Sequence, residues 1–510
     1  MKSPLTLLPL ALLCAPTPSF ATQQDWPMWG RDETRNMVSN EKNLPATFAP
    51  GDFVGNTDEI DLESAENVKW VAKLGSQTYG NPTVAGGKVF VGSNNDFPRS
   101  PRFEGDRCVV YCFDEADGKF NWQLNIPKLG TGQVSDWDYV GLCCSPSVEG
   151  DRVYIVTNRC EVMCLDLNGL ANGNDGPFQD EAQYMAGPGA EPIPLEAQDA
   201  DIIWVLDMID ACGVAPHNVT TSSVLIAGDQ LWVTSANGQD VDHKEIPKPD
   251  APSLILVDKK TGALLGEEAS GLSSRMLHSN WSSPAFLRTK DTALGIFGGP
   301  DGFCYAFNTT PKADDSGRKI LQEAWRFDCN PAEYRMQDGK AVPYSNRKGP
   351  SEVIATPITY DGKVYAVIGQ DPENGEGAGH MTCLSAEGKE LWSFGKINRS
   401  MSTCAAGDGL IYAADLSGFV YCLDANTGEQ YWVHDTMGHI WSSPLLADGR
   451  VYIGNEDGFM SVIPAGKKYE KNKVLEIDML SPIFSSVVAA NGALFVSTHT
   501  HLFAIAKSGE

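Results

Sequence analysis

The chain has 510 residues, 42% hydrophobic and 21% charged, with 66 acidic against 39 basic side chains and a formal charge of −27. The apolar fraction rules out disorder as the main state, and the acidic balance excludes a nucleic-acid or anionic-membrane binder, whose contacts need clustered Lys and Arg. Fifty Gly and 31 Pro, spread without a collagen-like period, favour many turns and an all-β chain.

The first residues read as an address. Lys2 precedes an apolar run from Leu5 to Leu13, and Ser19, Phe20 and Ala21 present small residues at the spacing a signal peptidase recognises. Residues 1–21 are therefore expected to be a Sec signal peptide cleaved after Ala21, making the mature protein periplasmic or secreted. Leu13 stands where a lipoprotein needs a small residue before Cys14, which argues against lipidation. No other segment has the 18 or more apolar residues of a membrane span. Residues 22–67 read as a lead-in arm, and a repeat occupies 68–510.

One phrase recurs eight times: an apolar segment, a Gly/Asp turn and an apolar-aromatic strand. It reads TVAGGKVFV from Thr83, SVEGDRVYI from Ser147, VLIAGDQLWV from Val224, PITYDGKVYAV from Pro357, CAAGDGLIYAA from Cys404, PLLADGRVYIG from Pro444 and VVAANGALFV from Val487, with a degenerate copy from Pro284. Each copy continues into a third strand, and a fourth strand carries Trp122, Trp204, Trp325, Trp392 or Trp432 in five of them. The last copy lacks a fourth strand, whereas a spare Trp-bearing strand, VKWVAKL from Val68, precedes the first. Four short strands per unit joined by hairpin turns predict a single eight-bladed β-propeller of four-stranded antiparallel blades. The N-terminal strand would complete the last blade and close the ring.

The first-to-second turns are all short. Long insertions at about 92–106, 235–252 and 370–380, and a long blade connection at about 329–350, all fall on the face that carries second-to-third turns and blade connections. That loop-rich face is the expected binding face.

The phrase SSP…DGRVYIG…LDANTGEQYW, seen from Ser442 and from Gly418 to Trp432, resembles the pyrroloquinoline-quinone (PQQ) repeat of quinoprotein-like propellers. That superfamily contains eight-bladed quinoprotein alcohol dehydrogenases and non-catalytic relatives such as the outer-membrane assembly propeller. Asp25, Trp26, Gly30 and Arg31, with Ser39 and Leu44, are similar to the segment that opens quinoprotein dehydrogenases. Val38 replaces an aromatic there and Pro45 an Asn, so the segment reads as packing beneath the propeller.

The resemblance implies candidates for a quinone site at the channel mouth. Trp281 and Trp441 head two WSSP segments, preceded by His278 and His439; the indoles could stack a flat ligand or else wedge between blades. Cys143 and Cys144 correspond to the vicinal disulfide of quinoprotein dehydrogenases, but also align with Trp441 and Ser442 as repeat positions. A dehydrogenase would add Ca²⁺ and a base among Asp136, Asp138, Asp371 and Glu373. The segment DLNGLANGND offers Asp166, Asn168, Asn172, Asn174 and Asp175 as oxygen ligands for a structural Ca²⁺, or is a plain turn. Cys112, Cys164, Cys383 and Cys422 share one third-strand position, which reads as small and buried rather than metal-binding.

The function expected from all this is an exported, non-catalytic scaffold binding a protein or small ligand on its loop-rich face. The alternative is a PQQ- and Ca²⁺-dependent oxidoreductase acting on alcohols or sugars. A carbohydrate-binding or hydrolytic propeller is a third reading.

Overall fold

The computed structural model describes residues 24–129 and 137–507; the leader and its cleavage point lie outside them. Eight antiparallel sheets form the blades of a β-propeller. Blade 1 runs Thr83–Ala85, Lys88–Asn94, Arg107–Asp114 and Phe120–Pro127, each strand paired with the next. Blades 2 to 7 begin at Ser147, Leu225, Ala285, Ile358, Ala405 and Leu445 and repeat that order. Blade 8 takes three strands from the C-terminus and its fourth from Val68–Lys73, which pairs antiparallel with His501–Ile505. The ring is thus closed by main-chain hydrogen bonds between the two ends of the domain.

The recurring Gly/Asp/Asn pairs explain the tight first hairpins. Gly86–Gly87, Asp361–Gly362, Asp408–Gly409, Asp448–Gly449 and Asn491–Gly492 all have positive φ at both residues, between 47° and 83°. That is the backbone of a type I′ turn, whose twist matches the flanking strands, and it admits few residues besides Gly, Asn and Asp. Blade 3 departs from the common plan: Lys312–Ala313 and Lys319–Ile320, inserted in blade 4, extend it to six strands through a parallel pairing of Glu267 with Ile320.

Tryptophans of the outer strands join neighbouring blades. Trp70 donates from its indole to the Glu115 carbonyl of blade 1, Trp122 to Leu167 of blade 2, Trp325 to Ala386 of blade 5, Trp392 to Ala425 of blade 6 and Trp432 to Gly466 of blade 7, at 2.8–3.1 Å. Gly118, Gly169, Gly262, Gly388 and Gly428 lie under the rings of Trp70, Trp122, Trp204, Trp325 and Trp392, so close that a Cβ would meet ring carbon at 2.5–3.0 Å. Within each blade the Trp faces a small residue on the third strand: Cys112, Cys164, Ala306, Cys383 and Cys422 pair with Trp122, Trp204, Trp325, Trp392 and Trp432, and a β-bulge follows each. A larger side chain opposite the indole would overfill this layer. These cysteines are buried, one per blade, and no cysteine among the described residues forms a disulfide.

The arm from Asp25 to Leu44 crosses the short-turn face and binds the first strands of the blades in turn. Trp26 exchanges main-chain bonds with Val84, Pro27 accepts from Val148, Glu33 from Phe286, Thr34 from Thr359 and Met37 from Leu446. Arg35 is wholly buried and donates to the carbonyls of Trp29, Ser223 and Pro284; burial lowers its pKa to about 9. The arm fills one end of the channel and leaves the loop-rich end for a site. No helix among the described residues is long and apolar enough to cross a membrane.

Gly428→Ala forces both a left-handed backbone and a clash with Trp392, and should cost about 2–4 kcal/mol. Gly449→Ala, at φ 71° with open space around it, should cost only about 1–2 kcal/mol from strain. Urea denaturation of the two variants checks the difference.

Candidate functional site

Every blade connection turns inward at the loop-rich end, so the ring brings one segment from each blade to a common axis. The cavity there encloses about 980 Å³ including its open mouth. Tyr79 and Asn81 enter it ahead of blade 1, Cys143 ahead of blade 2, Asn218 and Thr221 ahead of blade 3, Trp281 ahead of blade 4, Ile354 ahead of blade 5, Met401 ahead of blade 6, Trp441 ahead of blade 7 and Phe484 ahead of blade 8. Trp29 of the arm also lines it, its indole donating to Thr356.

Trp281 and Trp441 therefore share one cavity. Trp441 stands in a cluster with Phe484, at 4.7 Å edge to face, and Tyr79, at 6.2 Å; His499 stacks on Phe484 at 4.3 Å. Trp281 belongs to the other side of the ring, edge to face with His278 at 4.9 Å. His439 does not join them. It sits half-exposed beside a separate acidic basin, 2.7 Å from Glu456 and 3.4 Å from Glu376. Partial burial opposes its protonation, but the two carboxylates outweigh this and raise its pKa.

His278 leads into a polar network that sequence reasoning only touched. Its Nδ1 lies 3.1 Å from Asp371 Oδ2, and its Nε2 lies 2.9 Å from Nε2 of His217, which in turn is 3.0 Å from Nε2 of His243. Burial, with the neighbouring His278 and His243, pushes His217 down to about 4. Burial alone would raise Asp371, yet donation from His278, Asn374 and Tyr344 brings it down to about 2. The Tyr344 hydroxyl is 3.1 Å from Asp371 and 3.3 Å from Glu352. Burial raises Glu352 well above the usual carboxylate range, and the Tyr344 hydroxyl lies between it and Asp371 as the donor within reach of both. Arg399 donates to the carbonyls of Asn346, Asn374 and Gly375 and so ties together the loops that carry Tyr344 and Asp371.

The remaining candidates are dispersed. Cys143 faces the cavity, whereas Cys144 is buried against blades 1 and 2, with its thiol pushed up to about 12 by burial; the two are not joined in a disulfide. Asp138 and Glu373 are exposed, and Asp136 lies outside the described residues. Asp166 pairs with Arg152 at 2.9 Å and caps the turn at the Asn168 amide. Asn174 bonds Glu181 and Gln179, the Asp175 amide donates to Asp201, and Asn172 ends an exposed single turn.

A quinone fits this lining poorly. No Lys or Arg is among the described residues that line the cavity, and the only carboxylate there, Asp371, already accepts from three donors. PQQ carries three carboxylates and would enter a partly apolar site against negative charge with no cation to meet it.

Comparison with known proteins agrees with the fold. A family model described as outer membrane protein assembly factor BamB matches residues 58–265 and 377–471. BamB from Moraxella catarrhalis is similar with a TM-score of 0.52 and 13% identity, covering 86% of this chain and 97% of that one. A europium-containing methanol dehydrogenase is similar with a TM-score of 0.58 and 11% identity, covering 95% and 98%. No curated protein matches the sequence.

His499 supplies a pH test. Its Nε2 is buried without a hydrogen-bond partner among the described residues, and burial lowers its pKa to about 4. The unfolded chain binds this proton near the ordinary value of about 6.5, so the contribution of His499 to stability is full above that pH and falls as pH drops toward 4. His499→Phe keeps the stack on Phe484 and should flatten the pH dependence of the denaturation midpoint in that window.

Proposed function

The chain belongs to the family described as outer membrane protein assembly factor BamB, and from that premise we propose that it is an exported, non-catalytic propeller that binds a protein segment or small ligand at its loop-rich face. The observation that carries this reading is the cavity at the axis. Six aromatic side chains, Trp29, Tyr79, Trp137, Trp281, Trp441 and Phe484, line it, and all eight blades contribute to its wall.

Such a lining suits an apolar or aromatic group inserted from a partner, since ring faces supply contact area at low cost in side-chain entropy. The net charge of −27 favours a neutral or cationic partner over an anionic one. Export rests on the apolar leader that ends at Ala21. The competing reading, a PQQ- and Ca²⁺-dependent oxidoreductase, has one observation in its favour: Trp281, Trp441, Cys143 and Asp371 line the same cavity. The lack of a cation among the described lining residues weighs against it.

Adding PQQ and Ca²⁺ to the purified full chain should give neither tryptophan quenching nor dye reduction with a panel of alcohols and sugars; turnover would overturn the scaffold reading. A benzophenone side chain placed at Tyr79 should give a defined adduct in cells that export the protein, reduced at least several-fold by Trp281→Ala. The same probe at Lys260, on the opposite face, should give none.

A further inference from the structure

The three-histidine cluster adjoins the aromatic cavity through Trp281 and Asp371 but is built differently. His217 comes from the connection between blades 2 and 3, His243 from the second-to-third loop of blade 3 and His278 from the connection between blades 3 and 4. One ligand atom from each lies within 4.8 Å of the other two.

Hydrogen-bond arithmetic shows what the cluster lacks. His217 Nδ1 is 2.8 Å from the Gln239 carbonyl, which only accepts, so that nitrogen carries its proton. His278 Nδ1 faces the Asp371 carboxyl oxygen Oδ2 at 3.1 Å and is turned to donate to it. With both Nδ1 atoms turned to outer acceptors, the two Nε2 atoms face each other at 2.9 Å. His243 Nε2, 3.0 Å from that of His217, has at most one proton to give. Lone pairs converging at this distance call for an electron-pair acceptor between them, and a cation satisfies all three rings at once.

The surroundings hold the rings for that purpose. A carbonyl on one imidazole and a carboxylate on another are the outer partners that orient metal-binding histidines and raise their basicity. Gly238 lies where a Cβ would collide with His217 and press on Ser279. The turn from Asp240 to Glu245, closed by the Asp240 carboxylate on the amides of Lys244 and Glu245, carries His243 at φ 54° over the other two. The exposed side of His243 gives an ion its way in.

We propose that His217, His243 and His278 bind one late first-row divalent ion, of the zinc type, through their Nε2 atoms, with Asp371 and the Gln239 carbonyl as positioning groups. Three imidazoles without thiolate or further carboxylate suit Zn²⁺ or Cu²⁺ rather than Ca²⁺ or Mg²⁺. The site is independent of the ligand-binding reading, because the ion can bind whether or not a partner enters the aromatic cavity.

The test uses the full chain stripped with chelator and titrated with Zn²⁺ by calorimetry, with Co²⁺ as a visible-absorption reporter. One saturable equivalent is expected, with a Co²⁺ spectrum that added Zn²⁺ abolishes. His243→Ala removes an exposed ligand without emptying the core and should weaken binding at least 10-fold; Asp371→Asn should weaken it about 10-fold or more and shift the Co²⁺ bands. His439→Ala should change nothing. Absence of a saturable equivalent, or equal binding by His243→Ala and the unaltered chain, would overturn the proposal. So would a Zn²⁺-indifferent His–His proton seen by NMR between His217 and His278.

Discussion

Closure of the ring is the constraint on which everything else in this molecule rests. Strand Val68–Lys73 lies against His501–Ile505, so the chain's two ends share one blade and no blade is left with an open inner or outer partner missing. An unclosed eighth blade would expose a row of main-chain donors and acceptors to any passing strand. Closure also fixes the axis. Only when eight blades are held in a circle do eight connections converge on one cavity, and only then can a single arm reach the first strands of opposite blades. Arg35 shows how fully the arm is built in: its buried guanidinium is satisfied by carbonyls of the arm and of the segments entering blades 3 and 4.

The blades are joined by a second, repeated device. For Trp70, Trp122, Trp325 and Trp392 the indole on an outer strand rests on a left-handed glycine of the next blade and donates to a nearby carbonyl, and the residue opposite it is Cys or Ala. This layer tolerates no bulk, which accounts for the recurrence of cysteine and alanine there by size alone. The loop-rich face, by contrast, contributes little to closing the ring. It is free to carry insertions, and it holds two carboxyl groups pushed in opposite directions: Asp371 brought down by its donors and Glu352 pushed up by burial, with the Tyr344 hydroxyl between them.

Part of the site was legible from repeat position. The WSSP and CCSP segments open inner strands, which left the indoles either at the axis or wedged between blades; in the structure Trp281, Trp441 and Cys143 line the axial cavity. The histidines were harder. His278 stands three residues before its tryptophan and His439 two before its own, and that one-residue difference sends the first toward His217 and the second toward Glu456. His217 and His243 carry no motif at all. They lie 26 residues apart in loops of different type, and His278 is 61 residues beyond His217. A spacing signal exists when ligands share a helix face or a tight turn, and these share neither.

By itself the sequence determined the number of blades, the strand that closes the ring, the positions of the hairpin turns and the face that bears the loops. All of these follow from local rules: period-two alternation, Gly and Asn or Asp at positive φ, and repetition of one unit. Only the tertiary structure decided which side chains meet. The convergence of three imidazoles, the contact of Asp371 with His278, and the cation-poor lining of the described cavity all depend on distances across neighbouring blades. Such distances arise from the curvature of the closed ring and leave no trace in any one segment of the chain.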